Sequence, residues 1–297
     1  MTSEVEVEGR RFRLSNLDKV LWPAAGFTKG QMLDYYTCVA PTLLPHVSGR
    51  PMTLRRFPDG VERGDWYQIQ WPRGAPAWLP TREVRARRGG VWRFCVIDDL
   101  PSLLWAANLA AIELHPLLAY GARPDEPTAV VFDLDPGPPA DIVDCCEVAL
   151  RLRYELDELG LAAFPKTSGS VGLHVYVPLN ARHTYDETKA FARGLAQRLA
   201  ETDPERVTER VQRTERAGRV LVDWLQNDAT RSTVAPYSLR GTAWPTVSTP
   251  LTWDEVEEAT TKRRPGLLTF DARLALDRLD RLGDVFAPVL EVEQALP

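Results

Sequence analysis

Ala129-Val130-Val131-Phe132-Asp133-Leu134-Asp135-Pro136-Gly137 is an apolar run that ends in two carboxylates one residue apart and then turns. On a strand, side chains two positions apart share a face, so Asp133 and Asp135 project together from the strand's end. Carboxylates paired in this way can hold a hard divalent cation such as magnesium or manganese. Asp-Pro-Gly is also ordinary turn chemistry. By itself the stretch leaves a cation site and a plain strand terminus both open.

An Asp-x-Asp after an apolar strand also occurs in haloacid-dehalogenase-like phosphatases, where it supplies a nucleophile. There it lies near the N-terminus and continues Gly-Thr or a close equivalent, whereas here it is mid-chain and continues Pro136-Gly137. Downstream, the pattern predicts a helix over 140–159, a strand over 162–166, a Gly-rich turn, a strand over 173–178, a helix over 186–201 and a strand over 220–224. Strands and helices mixed in this order imply an α/β or α+β module. Upstream, residues 5–14 read as a hairpin, Thr28 caps a helix over 30–40, Pro-rich and Gly-rich punctuation from 41 to 80 implies short strands and long loops, and 102–114 reads as a helix. The tail from Trp253 reads as packing helices.

Bulk properties narrow the classes. The chain has 297 residues, enough for one large domain or two packed modules, and an acidic N-terminus without the basic-then-apolar order of a secretory signal. No apolar run is long enough to span a bilayer, so no membrane association and a cytoplasmic protein are expected. Cys38, Cys95, Cys145 and Cys146 lack zinc-ligand spacing, which argues against structural zinc and a disulfide framework. The net charge of −5 conceals a local excess. Between positions 50 and 93, Arg50, Arg55, Arg56, Arg63, Arg73, Arg82, Arg85, Arg87, Arg88 and Arg93 face four acidic residues, a candidate electropositive face with a net charge of +6. A solvated arginine-rich strand pair would read the same way.

Lys166-Thr167-Ser168-Gly169-Ser170-Val171-Gly172-Leu173-His174 joins two of the expected strands. Its glycines permit close approach of backbone N–H groups to an anion, and Lys166, Ser168 and Ser170 add donors, so a phosphate cradle and a plain hairpin turn are both open. It is not a Walker A loop. His174 and Tyr176 alternate with Val175 and Val177, so the histidine shares a face with polar groups. In Val220-Leu221-Val222-Asp223-Trp224-Leu225-Gln226-Asn227 an aspartate interrupts an apolar strand. A buried carboxylate requires a cation, a metal or N–H donors, so Asp223 is either a third metal ligand, a partner of an arginine such as Arg240, or a strand-end residue.

These segments, together with Leu14-Ser15-Asn16-Leu17-Asp18-Lys19-Val20-Leu21, Gly26-Phe27-Thr28-Lys29-Gly30, Asp98-Asp99-Leu100-Pro101, Glu113-Leu114-His115-Pro116 and Val234-Ala235-Pro236-Tyr237-Ser238-Leu239-Arg240, resemble the archaeo-eukaryotic primase superfamily. The likeness is greatest to the polymerase domain of the bacterial non-homologous end-joining DNA ligase and its stand-alone primase-polymerase relatives. It implies an α+β primase-polymerase fold, with an N-terminal α/β module (1–124) packed on an RRM-like catalytic module (125–250) and a helical tail (251–297). It implies that Asp133, Asp135 and Asp223 hold two manganese or magnesium ions and are catalytic. It places Ser168, Gly169 and His174 at the triphosphate of an incoming NTP or dNTP, with His115, Lys166, Gln226 and Arg240 nearby. Asn16, Lys19 and Lys29 would grip a downstream 5′-phosphate, beside Arg55 and Arg56, with Trp66 or Tyr67 stacking on a template base where two phenylalanines are usual. A lysine usual after the aromatics is replaced by the stretch Gln68-Ile69-Gln70, and Arg231 stands about where many relatives carry lysine.

The activity so implied is template-dependent nucleotidyl transfer that fills short gaps or extends broken DNA ends, with ribonucleotides favoured, in end joining or excision-repair gap filling. Gapped or broken DNA with a 5′-phosphate is the expected partner, and an ATP-dependent ligase and Ku would act as separate molecules. Two rivals stand beside it: a phosphohydrolase using Asp133 and Asp135, and an inactive DNA-end binding module.

Overall fold

The computed structural model describes residues 2–85 and 90–297, so Arg87 and Arg88 of the arginine run lie outside the described residues. Two compact units are present: Met1–Pro124 with Ser232–Val247 and Asp271–Arg281, and Asp125–Arg231 with Ser248–Phe270 and Leu282–Pro297. Segments 232–247 and 271–281 group with the N-terminal residues, whereas the sequence reading left them in the second module and the tail.

The first unit opens with a hairpin, β1 (Thr2–Val7) and β2 (Arg10–Ser15), which turns through Glu8 and Gly9 at positive φ. Strands β3 (Val20–Trp22) and β4 (Phe27–Thr28) lead into α1 (Lys29–Val47), whose N-terminus is closed by the expected cap at Thr28 in a reciprocal capping box with Gln31. The helix does not stop at Ala40. It runs through Pro41 and Pro45, although each proline forfeits a backbone hydrogen bond. Val39, Leu43 and Val47 on the same helix are at most 1% exposed, and their burial outweighs the loss.

Next come β5 (Met52–Arg56), β6 (Trp66–Gln68), β7 (Thr81–Arg85), β8 (Val91–Cys95), α2 (Leu100–Asn108) and β9 (Ala111–Pro116). All five strands form one sheet in which β5 pairs with β6, β8 and β9, and β8 with β7. The helix expected over 102–114 is therefore corrected. It ends at Asn108, Ala110 takes a left-handed φ of 57°, and residues 111–116 form a buried strand. A short apolar run fits a buried strand as well as a helix face, which is why the pattern misleads. Segment 232–247 docks on this strand. Ala235 N–H donates to Leu114 O, Leu114 N–H to Ser238 Oγ, and Tyr36 Oη–H to Ile112 O while accepting from Leu239 N–H.

In the second unit, β10 (Ala129–Pro136), α3 (Ile142–Glu158), β11 (Phe164–Thr167), β12 (Leu173–Pro178), α4 (Tyr185–Thr202), β13 (Val207–Thr208), β14 (Val220–Asp223) and α5 (Trp253–Lys262) follow in order. The tail adds α6 (Ala272–Leu282) and α7 (Pro288–Glu291). The sheet order is β11-β12-β10-β14-β13, antiparallel except for the β13–β14 edge. Numbered within the module, the strands run 2-3-1-5-4; with the two-residue edge strand β13 left out, the order is 2-3-1-4, the RRM-like order expected of a β-α-β-β-α-β unit. Phe132, Leu134, Val175, Val177, Val220 and Val222 form one core with Cys146, Leu152 and Leu156 of α3, Leu195 and Leu199 of α4 and Val256 of α5. The alternate positions of the same strands, Asp133, Asp135, His174 and Asp223 among them, therefore belong to the opposite face.

Candidate active site

The opposite face of the second unit carries a row across four strands. Lys166 on β11 is in register with His174 on β12, His174 with Asp133 on β10, and Asp133 with Asp223 on β14. Directly opposed residues of antiparallel strands bring their Cβ atoms to within about 5 Å. The row is therefore a consequence of strand register. His174 Nε2 lies 3.2 Å from Asp133 Oδ1, and the Gln226 amide donates to Asp133 Oδ2 at 3.2 Å and to Asp223 Oδ2 at 3.4 Å. Asp135 lies on the same face, one pleat along from Asp133.

Gln226 is placed by its neighbour. Asn227, fully buried, donates to Val131 O and accepts from Val131 N–H, so an amide side chain takes the part of a strand residue just past the end of β14. The sequence reading assigned nothing to Asn227.

Do these residues suit the divalent ions? Among the described residues no three His, Cys, Asp or Glu groups converge as a closed ligand set. The donor chemistry nevertheless fits hard cations. Asp133 and Asp223 present like charges to one another across the sheet, and burial, then the charge of Asp133, pushes the Asp223 carboxyl up despite the Leu225 N–H it accepts. Arg240, named as an alternative partner for Asp223, has its Nε 3.6 Å from Glu113 within the first unit.

The 168–172 turn closes on itself. Ser168 Oγ accepts from the N–H groups of Ser170 and Gly172, and Gly169 supplies a positive φ of 73°. Lys166 is fully buried and donates to Ser248 Oγ at 2.6 Å, which makes it an internal support rather than a surface donor. Gly172 has no room for a side chain. A Cβ there would stand 2.3 Å from the backbone oxygen of Leu134 and 3.3 Å from Asp135 Oδ1. Gly172→Ala is expected to lower stability by about 1–3 kcal/mol, because backbone cannot yield as a side chain can. Urea denaturation measures the loss; wild-type stability in the variant would contradict the packing described.

In the first unit, His115 and Glu113 occupy alternate positions of β9 and are both buried. Burial lowers the affinity of His115 for a proton, and Glu113 opposes that effect. Glu113 also faces Arg240 and its register partner Arg55, and its carboxyl is held at about 2, against burial, by His115 and Arg240. The sequence reading missed Glu113, since a helix was expected there. Its alternation with His115 inside an apolar run is the signal that could have found it.

Arg55 and Arg56 are tied inward more than an electropositive face requires. Arg55 bonds Asp65 and Glu113, while Arg56 bonds Leu109 O and Gln68, and Arg50 is buried on Leu118 O and the Tyr120 ring. Trp66 and Tyr67 point to opposite sides of β6. Trp66 lies under the Arg56 guanidinium, and Tyr67 lies edge-on to His115 beside Arg55, so they are not interchangeable. Asn16 is exposed at a positive φ of 56°, and Lys19 pairs with Asp59 at 2.8 Å. Lys29, which residue type alone would place on the surface, is buried. Its ammonium donates to Ser15 O at 2.6 Å and Asn108 Oδ1 at 2.8 Å. Asn108 also accepts from Ser15 N–H and donates to Arg13 O, a support that no sequence pattern announced.

The fold superimposes on a solved structure of the polymerase domain of ligase D from Mycobacterium tuberculosis in complex with DNA, with a TM-score of 0.86 and 38% identity over 95% of this chain and 98% of that one. It is thus the fold of a primase-polymerase, a nucleotidyltransferase. The sequence profile described as LigD, primase-polymerase domain, matches residues 28–286, and the chain belongs to that family. Among curated relatives it is 40% identical to the multifunctional non-homologous end joining protein LigD of Mycolicibacterium smegmatis, covering 94% of this chain and 36% of that protein. It is 31% identical to the bifunctional non-homologous end joining protein LigD of Bacillus subtilis, covering 93% and 44%. The chain therefore spans between a third and a half of the length of these relatives. No described helix is long and apolar enough to cross a membrane.

Proposed function

We propose that this chain is a template-dependent polymerase that fills short gaps or extends broken DNA ends, guided by a downstream 5′-phosphate and favouring ribonucleotides, in end joining or gap-filling repair. The observation that carries the reading is the row Lys166–His174–Asp133–Asp223 on the face of an RRM-like sheet opposite its core. Asp133, Asp135 and Asp223 would hold the divalent ions, manganese or magnesium. When bound, such ions supply acidity to a primer 3′-hydroxyl and charge neutralisation to the phosphoryl group and leaving pyrophosphate. The protein's own part is placement. His174 and Gln226 fix the two oxygens of Asp133, and Ser168 with His174 meets the triphosphate, as do His115 and Arg240. Trp66 stacks on a template base, a contact indifferent to base identity. Lys19 meets the 5′-phosphate, with Lys29 and Arg56 as charges behind it. A ligase and Ku are the proposed partners in end joining.

The phosphohydrolase reading gives no task to Asp223 or His174, yet both lie in register with Asp133. The test uses gapped, 5′-phosphorylated duplex with manganese and labelled ribo- and deoxyribonucleotides in competition, beside an Asp135→Ala control. Extension by the wild-type protein alone is expected. Binding without extension by either protein would leave a DNA-end binding module.

A further inference from the structure

Glu113 is 1% exposed, yet four groups converge on it. Oε1 accepts from Gly241 N–H at 2.9 Å and from Arg55 Nη1 at 3.1 Å, and lies 3.6 Å from Arg240 Nε; Oε2 lies 2.8 Å from His115 Nε2. The side chains of the two arginines and the histidine stay partly open, at 27% for Arg55, 16% for Arg240 and 11% for His115. The acid is thus a floor beneath them, too deep to touch a ligand. By charge alone it weakens any anion site those residues form. Its contribution must therefore be geometric, since two guanidiniums without a shared anion repel one another. The shell around it is tight as well: a Cβ at Gly241 would stand 2.1 Å from Phe57, whose ring lies 5.0 Å from the Arg55 guanidinium.

We propose that Glu113 is a positioning residue that arrays Arg55, His115 and Arg240 to receive the polyphosphate of the incoming nucleotide. By accepting at Nε2 it also leaves Nδ1 of His115 as the nitrogen that gains a proton when the ring becomes a cation. The inference rests on the reading above that His115 and Arg240 meet the polyphosphate. The groups facing His115 are Glu113 on its own strand, Arg55 from β5, Tyr67 from β6 and Arg240 from segment 232–247. Of these groups Glu113 raises the proton affinity of His115, and both arginines lower it. Glu113 is then the group whose removal shifts the profile.

The experiment compares wild type with Glu113→Gln in gap extension. Expected are a KM for the nucleotide raised about tenfold, equivalent to about 1.4 kcal/mol, with a larger rise at pH 8 than at pH 6. The kcat at saturation and the affinity for gapped DNA without nucleotide should stay near wild type. In a His115→Ala background the Glu113→Gln change should add less than it does alone. A folded Glu113→Gln protein with wild-type KM, a pH-independent rise, or full additivity with His115→Ala would overturn the proposal. If Glu113→Gln does not fold, Glu113→Asp, which keeps the charge but withdraws the oxygens, should show a smaller KM rise, and a wild-type KM there would overturn it equally. Absence of extension by the wild-type protein is a separate outcome, which refutes the polymerase reading itself. Nitrogen NMR of the His115 ring then still tests the arrangement: a proton on Nε2 in wild type supports it, and one on Nδ1 alone defeats it.

Discussion

Asp133→Asn is expected to reduce primer extension by at least about 10²–10³-fold, the loss typical when one preorganised electrostatic contact to a phosphoryl-transfer or acyl-transfer transition state is removed. The substitution changes one oxygen to an amide and little else in volume. Asp133 is the middle of the row, with one oxygen facing His174 and the other the Gln226 amide, and Asp223 directly across the strand pair. The new amide must point its NH₂ at one of two groups that now donate to a carboxylate, so the proposed cation site loses both charge and orientation. Relatives of this chain at 40% identity are end-joining proteins, and the reaction proposed depends on those ions.

The same substitution should not destabilise the protein, and this separates a site role from a structural one. Asp133 is one of the charges that push the Asp223 carboxyl up. Removing it relieves that repulsion, so the melting temperature in the absence of divalent ions should hold or rise. Manganese should stabilise the wild-type protein in proportion to the logarithm of its concentration, because a ligand that binds only the folded state shifts the unfolding equilibrium by mass action. Asp133→Asn should lose most of that shift. Calorimetry with and without manganese measures both effects. Extension within tenfold of wild type, or an unchanged manganese shift, would count decisively against the cation site.

The part of this site that was legible in the sequence is the part written in period two. An apolar strand advertises which of its residues face the core, so alternation gave Asp133 and Asp135 one shared face and His174 a polar one, and the register then set Asp133 between His174 and Asp223. What was illegible depends on tertiary context. Glu113 hid because a six-residue buried strand fits either period. Lys29 read as a surface lysine because residue type carries no information about a carbonyl and an amide folded over it from β2 and α2. Asn108 and Asn227 bind backbone groups far along the chain, and no local pattern encodes that. The arginine run gave a correct count but a misleading picture, since Arg50, Arg55 and Arg56 are spent on internal partners. Pro41 was read as a helix stop, and the packing of α1 overrode it.

Preference for a 5′-phosphorylated gap should fall as pH rises above about 8, and the cause is Lys29. Burial, then the nearby charges of Lys19 and Arg56, lowers its pKa from 10.5 to about 8. Lys19 already pairs with Asp59, which offsets only part of the crowding among Lys29, Lys19 and Arg56, and a phosphate arriving there would draw the proton back onto Lys29. Above pH 8 each binding event must then take up a proton, so affinity should decline by up to about tenfold per pH unit. The neutral amine still has two N–H groups, enough to keep its bonds to Ser15 O and Asn108 Oδ1, so the fold need not change. Linkage gives the stability of the free protein the opposite sign. Between about 8 and 10.5 the unfolded chain holds the Lys29 proton and the folded chain does not, so this group's contribution to stability increases with pH across that window. Competition binding with 5′-phosphate and 5′-hydroxyl gaps from pH 7 to 9.5 isolates the effect, because the hydroxyl gap shares every other contact. A preference that stays constant over that range would mean that Lys29 either keeps its proton or stands away from the phosphate.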